Sequence, residues 1–219
     1  ASDVFPHSGG LTSPKLKRAL YHHDRRKAIA SAPHVRDQGP MILDPDLLPI
    51  LETERLRLSP LTPADAGQLF PIMGDPEVMA YWDVAEIDDP DVVRLIVAHR
   101  VEAMRQGRAM CWAMRTLGDA RFLGSCDLSD IDRWHRRAEV GFILGREAWG
   151  RGYALEAMRS VVAFAGAGGL RRLTARTHLG NHRSEALLDK LGFVKEGLLR
   201  GHVLKDGERR DCRLFGLLL

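Results

Sequence analysis

The sequence predicts a mixed α/β domain with an antiparallel first half, and three observations carry that expectation. Residues 109–116, 122–131 and 138–144 are short runs of strand composition. They are separated by polar turns at Gly118-Asp119 and at Asp132-Arg133-Trp134-His135-Arg136, the pattern of a meander of hairpins. The stretch from Ala138 to Ala165 then passes through Trp149-Gly150-Arg151-Gly152-Tyr153-Ala154 into a helix, because Ala154, Met158, Val161, Val162 and Ala165 recur on one face of a 3.6-residue period. Beyond Gly169 the pattern is a strand (172–177), a short helix (184–191) and two further strands (193–198 and 212–218), with Lys205-Asp206-Gly207 as the turn of their hairpin. Regular βαβ units throughout, which a doubly wound dinucleotide fold requires, are not present.

Taken in order, residues 1–50 carry much of the chain's punctuation, including Pro6, Gly9, Gly10, Pro14, Pro33, Gly39, Pro40, Pro45 and Pro49. Ser13 and Pro14 suit the cap and first position of a helix over Lys15 to Ala32, whose modest apolar content calls for a surface to lie on. The compact domain is expected from Leu51 to the end. RLRLSPL, Arg55 to Leu61, alternates as a half-buried strand, and Thr62-Pro63 opens a helix through Ala64 to Ile72. Asp75-Pro76 starts a short turn toward Met79, and Trp82 and Asp83 follow in a loop. A helix over Asp88 to Gln106 is expected to bury Val92, Leu95, Ile96, His99 and Ala103.

Composition sets outer limits. A chain of 219 residues with 45% hydrophobic content fits one substantial domain with an appendage, or two small ones. No uninterrupted apolar run nears 18 residues and the first residues lack the apolar core of a secretory signal, so a soluble, cytoplasmic protein is the expectation. Cys111, Cys126 and Cys212 are too scattered for a disulfide framework or a cysteine-based zinc site and read as small buried hydrophobes. The histidines show no ligand spacing, so no metal is expected. Residues 1–40 hold seven Lys or Arg against three Asp or Glu, while the whole chain is +3; the remainder is therefore one charge negative. That balance argues against nucleic-acid binding by the main domain, and a solvated arm is the plainer reading of the basic extension.

The strand-to-helix turn is where chemistry enters. The first N–H groups of a helix have no intrahelical partner, and glycines let a ligand approach the backbone closely, so Gly150 and Gly152 at a helix start make an anion site suited to a pyrophosphate. A turn whose glycines merely permit packing is the competing reading. The segment is not a P-loop, since Gly150-Arg151-Gly152 is not followed by Gly-Lys-Ser/Thr.

From Leu51 onward the chain resembles the GCN5-related N-acetyltransferase superfamily and, within it, the ribosomal-protein alanine acetyltransferase-like subgroup. The landmarks are Glu52 to Leu58, Glu139-Val140-Gly141-Phe142, Trp149 to Ala154 with Glu156-Ala157, and Asn181-His182-Arg183-Ser184 before Lys190-Leu191-Gly192-Phe193. The resemblance implies a mixed, mostly antiparallel twisted sheet flanked by helices, with two central strands splayed apart. It also implies acetyl-CoA as acetyl donor and a primary amine as acceptor, a protein N-terminus in this subgroup. The donor is then held by Phe142, Ile143 and Leu144 on the strand, by Trp149, Gly150, Arg151, Gly152, Tyr153 and Ala154 in the turn, and by Asn181 and Ser184. Trp149 stands where the superfamily often has Gln or Arg, and matches the subgroup.

Acetyl transfer to an amine requires a fixed thioester, stabilisation of charge on its carbonyl oxygen, removal of a proton from the ammonium and accommodation of the thiolate. The resemblance places Glu139 as the leading candidate base, Asn181 as a positioning residue and Ser184 as a donor toward the departing thiolate. Glutamate beside Arg136 and Arg137 has a structural reading as well, an ion pair, and His135 or a water chain is the alternative route for the proton. Trp82, Asp83, Trp134 and His135, in loops expected to border the acceptor, offer aromatic and acidic contacts to an ammonium. A small-molecule amine acceptor, or a noncatalytic module that responds to acetyl-CoA, remain open readings. The extension and the C-terminal hairpin offer surfaces for a homodimer.

Overall fold

In the computed structural model residues 48–219 are described, so the expected helix over Lys15 to Ala32 and the rest of the basic extension lie outside the described residues. The described chain is one eight-stranded sheet with helices on both faces. Its strands are β1 (Leu51–Glu52), β2 (Leu56–Pro60), β3 (Met110–Thr116), β4 (Phe122–Asp132), β5 (Arg137–Leu144), β6 (Arg172–His178), β7 (Val194–Lys205) and β8 (Glu208–Leu218). They lie in the order β1-β2-β3-β4-β5-β6-β8-β7, every neighbouring pair antiparallel except β5 with β6. The mixed, mostly antiparallel architecture expected from the sequence is therefore present.

Helices α1 (Ala66–Met73), α2 (Pro76–Met79) and α3 (Pro90–Arg105) precede β3. Helix α4 (Tyr153–Ala167) joins β5 to β6, and α5 (His182–Lys190) joins β6 to β7. Their starts are chemically marked. Asp75 and Asp89 accept from the N–H groups of Glu77 and Asp91 at 2.9 and 2.8 Å, each followed by a proline whose missing N–H costs nothing in the first turn. The expected helix after Pro63 begins instead as a 3-10 turn, Pro63–Asp65, because the Asp65 carboxylate reaches back to the Thr62 N–H and hydroxyl at 2.7 and 2.9 Å. The last hairpin is longer than expected. Asp206 and Gly207 take φ of +52° and +84°, a two-residue turn that suits the strand twist, and pairing runs out to Lys205 with Glu208.

Two apolar clusters sandwich the sheet. On one face Cys126, Leu128, Val140 and Leu173 pack with Met158, Val161 and Ala165 of α4. On the other Cys111, Ala113 and Ile143 pack with Leu69 and Met73 of α1 and with Val93, Ile96 and Val97 of α3. Leu48 packs on both clusters, and Trp112 Nε1 donates to the Pro49 carbonyl at 3.0 Å, so contact with the core begins just before Leu51.

The face of α3 differs from expectation. Its buried residues are Val93, Ile96, Val97, Ala103 and Met104, whereas Leu95 is 40% exposed. The true stripe at 93, 96, 97, 100 and 104 contains Arg100, and a guanidinium in the middle of the stripe turned the apolar reading toward the neighbouring face.

The feature that positions the site is a split in the sheet. β5 and β6 pair only at Arg137 with Arg172, Ala138 with Leu173 and Glu139 with Thr174. Past Glu139 the strands part. β5 stays paired with β4 as far as Leu144, and β6 with β8 as far as His178, so the backbone groups each turns toward the other have no sheet partner.

Candidate active site

A cavity of about 250 Å³ lies at this split. Consecutive residues line it on both strands, Glu139, Val140, Gly141 and Phe142 on β5 and Ala175, Arg176, Thr177 and His178 on β6. Successive strand residues face opposite sides of a sheet, so this cavity runs through it. One side is apolar, with Val140, Phe142, Ala175, Met158 of α4 and Leu187 and Leu188 of α5. The other is polar, with Asp127 and Ser129 of β4, Glu139, Arg176, His178, His99 and Arg100 of α3, and Tyr81, Trp82 and Asp83 of the α2–α3 loop.

At the N-terminus of α4 the turn residues form the second part of the site. Gly150 and Gly152 take φ of +72° and +80°, and a Cβ at Gly150 would have no heavy atom within 4 Å, so the backbone is bare to an approaching ligand. The first N–H groups of α4 lie just beyond, at the positive end of the helix dipole. Glu156 braces this turn from below. Its Oε1 accepts from the Thr53 hydroxyl at 2.5 Å and the Arg55 N–H at 2.8 Å, and its Oε2 from Arg55 Nε at 2.7 Å. Arg55 Nη1 in turn donates to the Arg151 carbonyl at 3.0 Å, and its guanidinium lies 4.7 Å from the centre of the Tyr153 ring. Trp149 is held by donation from its Nε1 to the Leu144 carbonyl at 3.0 Å and is overlain by Arg183 at 4.8 Å. The Ile143 and Leu144 side chains are buried in the two clusters, which leaves only their backbone to face a ligand.

Asn181 caps α5, its Oδ1 accepting from the Ser184 N–H at 3.2 Å, and both residues line the cavity. Glu139 lies at the last paired step of the split. Its ion partner is Arg176, whose Nε donates to Oε1 at 2.9 Å, rather than the adjacent Arg136 or Arg137. Burial raises the pKa of the Glu139 carboxyl, helped by the charges of Asp130 and Asp127, and the Arg176 guanidinium only partly offsets this. Arg176 also bonds His202 Nε2 through Nη1 at 2.9 Å. Asp83 Oδ1 lies 2.8 Å from His178 Nε2, while His178 Nδ1 and the Thr177 hydroxyl are buried without a protein partner among the described residues.

Of the loop residues expected at the acceptor, Trp82 and Asp83 line the cavity and Trp134 and His135 do not. Trp134 is 62% exposed at the β4–β5 turn. His135 is tied to Asp132 there, its N–H and Nδ1 at 3.0 and 2.9 Å, and Arg137 bonds the same carboxylate. Burial opposes ionisation of Asp132, yet these bonds hold its carboxyl down at about 2. The polar lining residues that the sequence does not point to include Tyr81, Arg100, Asp127, Ser129, Arg176 and His178. The signal for Asp127 is the alternation Ser125, Asp127, Ser129, which reads as a solvated strand face; that face is instead covered, the three residues being 1%, 9% and 7% exposed.

The family model for the acetyltransferase (GNAT) domain matches residues 55–194, and the chain belongs to that family. Its activity class is therefore acetyl-CoA-dependent acetyl transfer, and the open turn and through-sheet cavity fit a donor of that kind. The chain is 32% identical over 169 residues to the uncharacterized N-acetyltransferase p20 of Bacillus licheniformis, covering 77% of this chain and 95% of the relative. It is 29% identical over 118 residues to the ribosomal protein uS5 alanine N-acetyltransferase of Escherichia coli, covering 53% and 61%. Among solved structures, spermidine N-acetyltransferase of Vibrio cholerae superposes with a TM-score of 0.67 at 19% identity, covering 76% of this chain and 96% of the other, a likeness of fold. Among the described residues no group of acidic, histidine and cysteine side chains is arranged to hold a metal ion, and no helix is long and apolar enough to cross a membrane.

Proposed function

We propose that this protein transfers the acetyl group of acetyl-CoA to a primary amine, in the first instance the N-terminal α-amine of a protein or peptide. The observation that carries the reading is the split between β5 and β6, through which one cavity joins an apolar side to a polar, acidic one. Acetyl-CoA supplies the activated acetyl group as a thioester, which the acceptor nitrogen attacks directly.

The chain's own residues divide that work. Gly150 to Ala154 hold the pyrophosphate on bare backbone, and the unpaired edge of β5 from Phe142 to Leu144 holds the amide-bearing arm and donates an N–H toward the thioester oxygen. Asn181 positions that arm, and Ser184 faces the departing sulfur. Glu139, with its raised pKa and its place at the mouth of the split, takes the proton from the acceptor ammonium. Trp82 and Asp83 border the acceptor.

Two observations favour a peptide over a small amine. β6 turns a second unpaired backbone edge into the split, over Ala175 to His178, which an extended peptide can pair with and a small amine cannot. The similarity to the uS5 alanine acetyltransferase points the same way. The test is thiol release from acetyl-CoA with three acceptor sets: peptides with a free N-terminus, the same peptides N-terminally blocked but bearing lysine, and small amines. Product mass spectrometry locates the acetyl group. Turnover is expected on the first set, and turnover confined to the blocked peptides or small amines would overturn the N-terminal reading.

A further inference from the structure

We propose that Asp127 is the anchor for the acceptor's ammonium group, and that the acceptor site takes a single cationic centre. What the cation is rests on the acetyltransferase reading; that a cation belongs there rests on the site itself.

Asp127 is the cavity carboxylate that has no bonded partner. Three carboxylates line it, Asp83, Asp127 and Glu139, against two guanidinium groups, Arg100 and Arg176, an excess of one negative charge with the histidines neutral. Glu139 is paired with Arg176 and Asp83 with His178. Arg100 directs Nη1 to the Ser125 hydroxyl at 3.2 Å. Among the described residues no side chain or N–H donates to Asp127, and no cationic nitrogen lies within the 4.0 Å of an ion pair. Yet the residue is only 9% exposed. A mostly covered carboxylate that no protein donor satisfies and that faces a cavity marks a place where a ligand can supply the missing donor.

Geometry fixes where that donor comes from. Asp127 stands opposite Gly141 on β5, and a Cβ at Gly141 would lie 3.2 and 3.3 Å from its two oxygens. The carboxylate thus leans across the space that the glycine leaves open, toward the split and onto the polar side of the cavity. Glu139 is the diagonal neighbour on the same face, roughly 7 Å away between side-chain origins. An ammonium held by Asp127 therefore lies within reach of the group assigned to take its proton. With Glu139 and Asp83 already bonded to Arg176 and His178, a second cationic centre on the ligand finds no second carboxylate without a bonded partner.

The experiment measures binding without turnover. n-Butylammonium chloride, with n-butanol as the uncharged control, is titrated into the protein with and without saturating coenzyme A, and dissociation constants are read by saturation-transfer NMR. Coenzyme A affinity is measured separately by calorimetry. The wild type is expected to prefer butylammonium to butanol, and D127N to weaken butylammonium by about tenfold or more while leaving coenzyme A affinity unchanged. G141A is expected to weaken the amine in the same direction by displacing the carboxylate, and it provides the test should D127N fold poorly. Butane-1,4-diammonium is expected to bind within about threefold of butylammonium, since it gains no second ion pair. Equal amine affinity in wild type and both variants, or a diammonium bound tenfold tighter, would overturn the proposal. Loss of coenzyme A binding in the wild type would instead strike the transferase reading, leaving the amine titration to be judged by itself.

Discussion

Arg176 donates from Nε to Glu139 Oε1 across 2.9 Å, with Glu139 on the last paired step of β5 and β6 and Arg176 on the open part of β6. The pair spans the entrance to the split. Burial pushes the Glu139 pKa up, and Arg176 pulls it partly back. If Glu139 is the base, kcat/KM rises with pH on a limb whose midpoint lies above the ordinary glutamate value of 4.5. Glu139→Gln should abolish that limb and lower kcat by about 100-fold. Arg176→Met removes the influence that lowers the pKa, so its limb should move to higher pH. A pH–rate profile unchanged in either variant would remove Glu139 from the proton's path.

The brace under the glycine turn gives a second expectation. Burial alone would raise the Glu156 pKa, but the bonds from Thr53 and from the N–H and guanidinium of Arg55 outweigh it and hold the pKa low. A depressed carboxyl contributes stability that is complete above its ordinary value of 4.5 and is lost as pH falls through the lower folded value. Glu156→Gln should therefore cost about 1–3 kcal/mol at neutral pH by thermal melting, with the gap to wild type narrowing on acidification. Because Arg55 also holds the Arg151 carbonyl, the variant should raise KM for acetyl-CoA more than it lowers kcat. A variant with unchanged KM would show that the turn keeps its shape unaided.

Much of this arrangement is legible in the sequence, and the exceptions have a common physical cause. Strand runs, capped helix starts and the glycine turn are local signals, set by residues within a few positions of one another, and they place β3 to β5, α4 and α5 within a few residues. Arg100, Asp127 and Arg176 are not legible, because a polar residue alternating with apolar ones reads as solvent-facing whether the covering layer is water or another helix. Only tertiary packing shows that the Ser125, Asp127, Ser129 face lies beneath α3. His135 illustrates the converse: its loop promised the acceptor site, but its tie is to Asp132, a carboxylate that Arg137 also bonds, and both bonds belong to the turn itself.

Lys205 links the far hairpin to the loop proposed to border the acceptor. Only 5% exposed, it donates from Nζ to the Met79 and Ala80 carbonyls at 2.6 and 3.3 Å, closing the end of α2 just before Tyr81, Trp82 and Asp83. Lys205→Met keeps the length of the side chain and removes the donor, leaving those carbonyls unmatched at a cost of about 1–3 kcal/mol. Loosening that loop should raise KM for the acceptor while leaving KM for acetyl-CoA as it is. Equal effects on both substrates would mean that the hairpin supports the fold as a whole and not this loop.

The cysteines discriminate direct transfer from a covalent route. Cys111, Cys126 and Cys212 are 2%, 0% and 1% exposed, and burial is the leading cause that pushes their thiols to about 12, well above the ordinary value, and about 11. Cys212 is the informative one because it lines the cavity, where an acetyl-cysteine would have to form. A thiol so far from ionisation is a poor nucleophile at neutral pH. Iodoacetamide should leave the native protein active and unlabelled, and should modify all three cysteines once guanidinium has unfolded it. Cys212→Ala should retain most of the acetyl transfer, since it removes a small buried side chain and no step of the reaction. Rapid native labelling of Cys212, together with an inactive but folded Cys212→Ala variant, would place the acetyl group on sulfur before it reaches the amine.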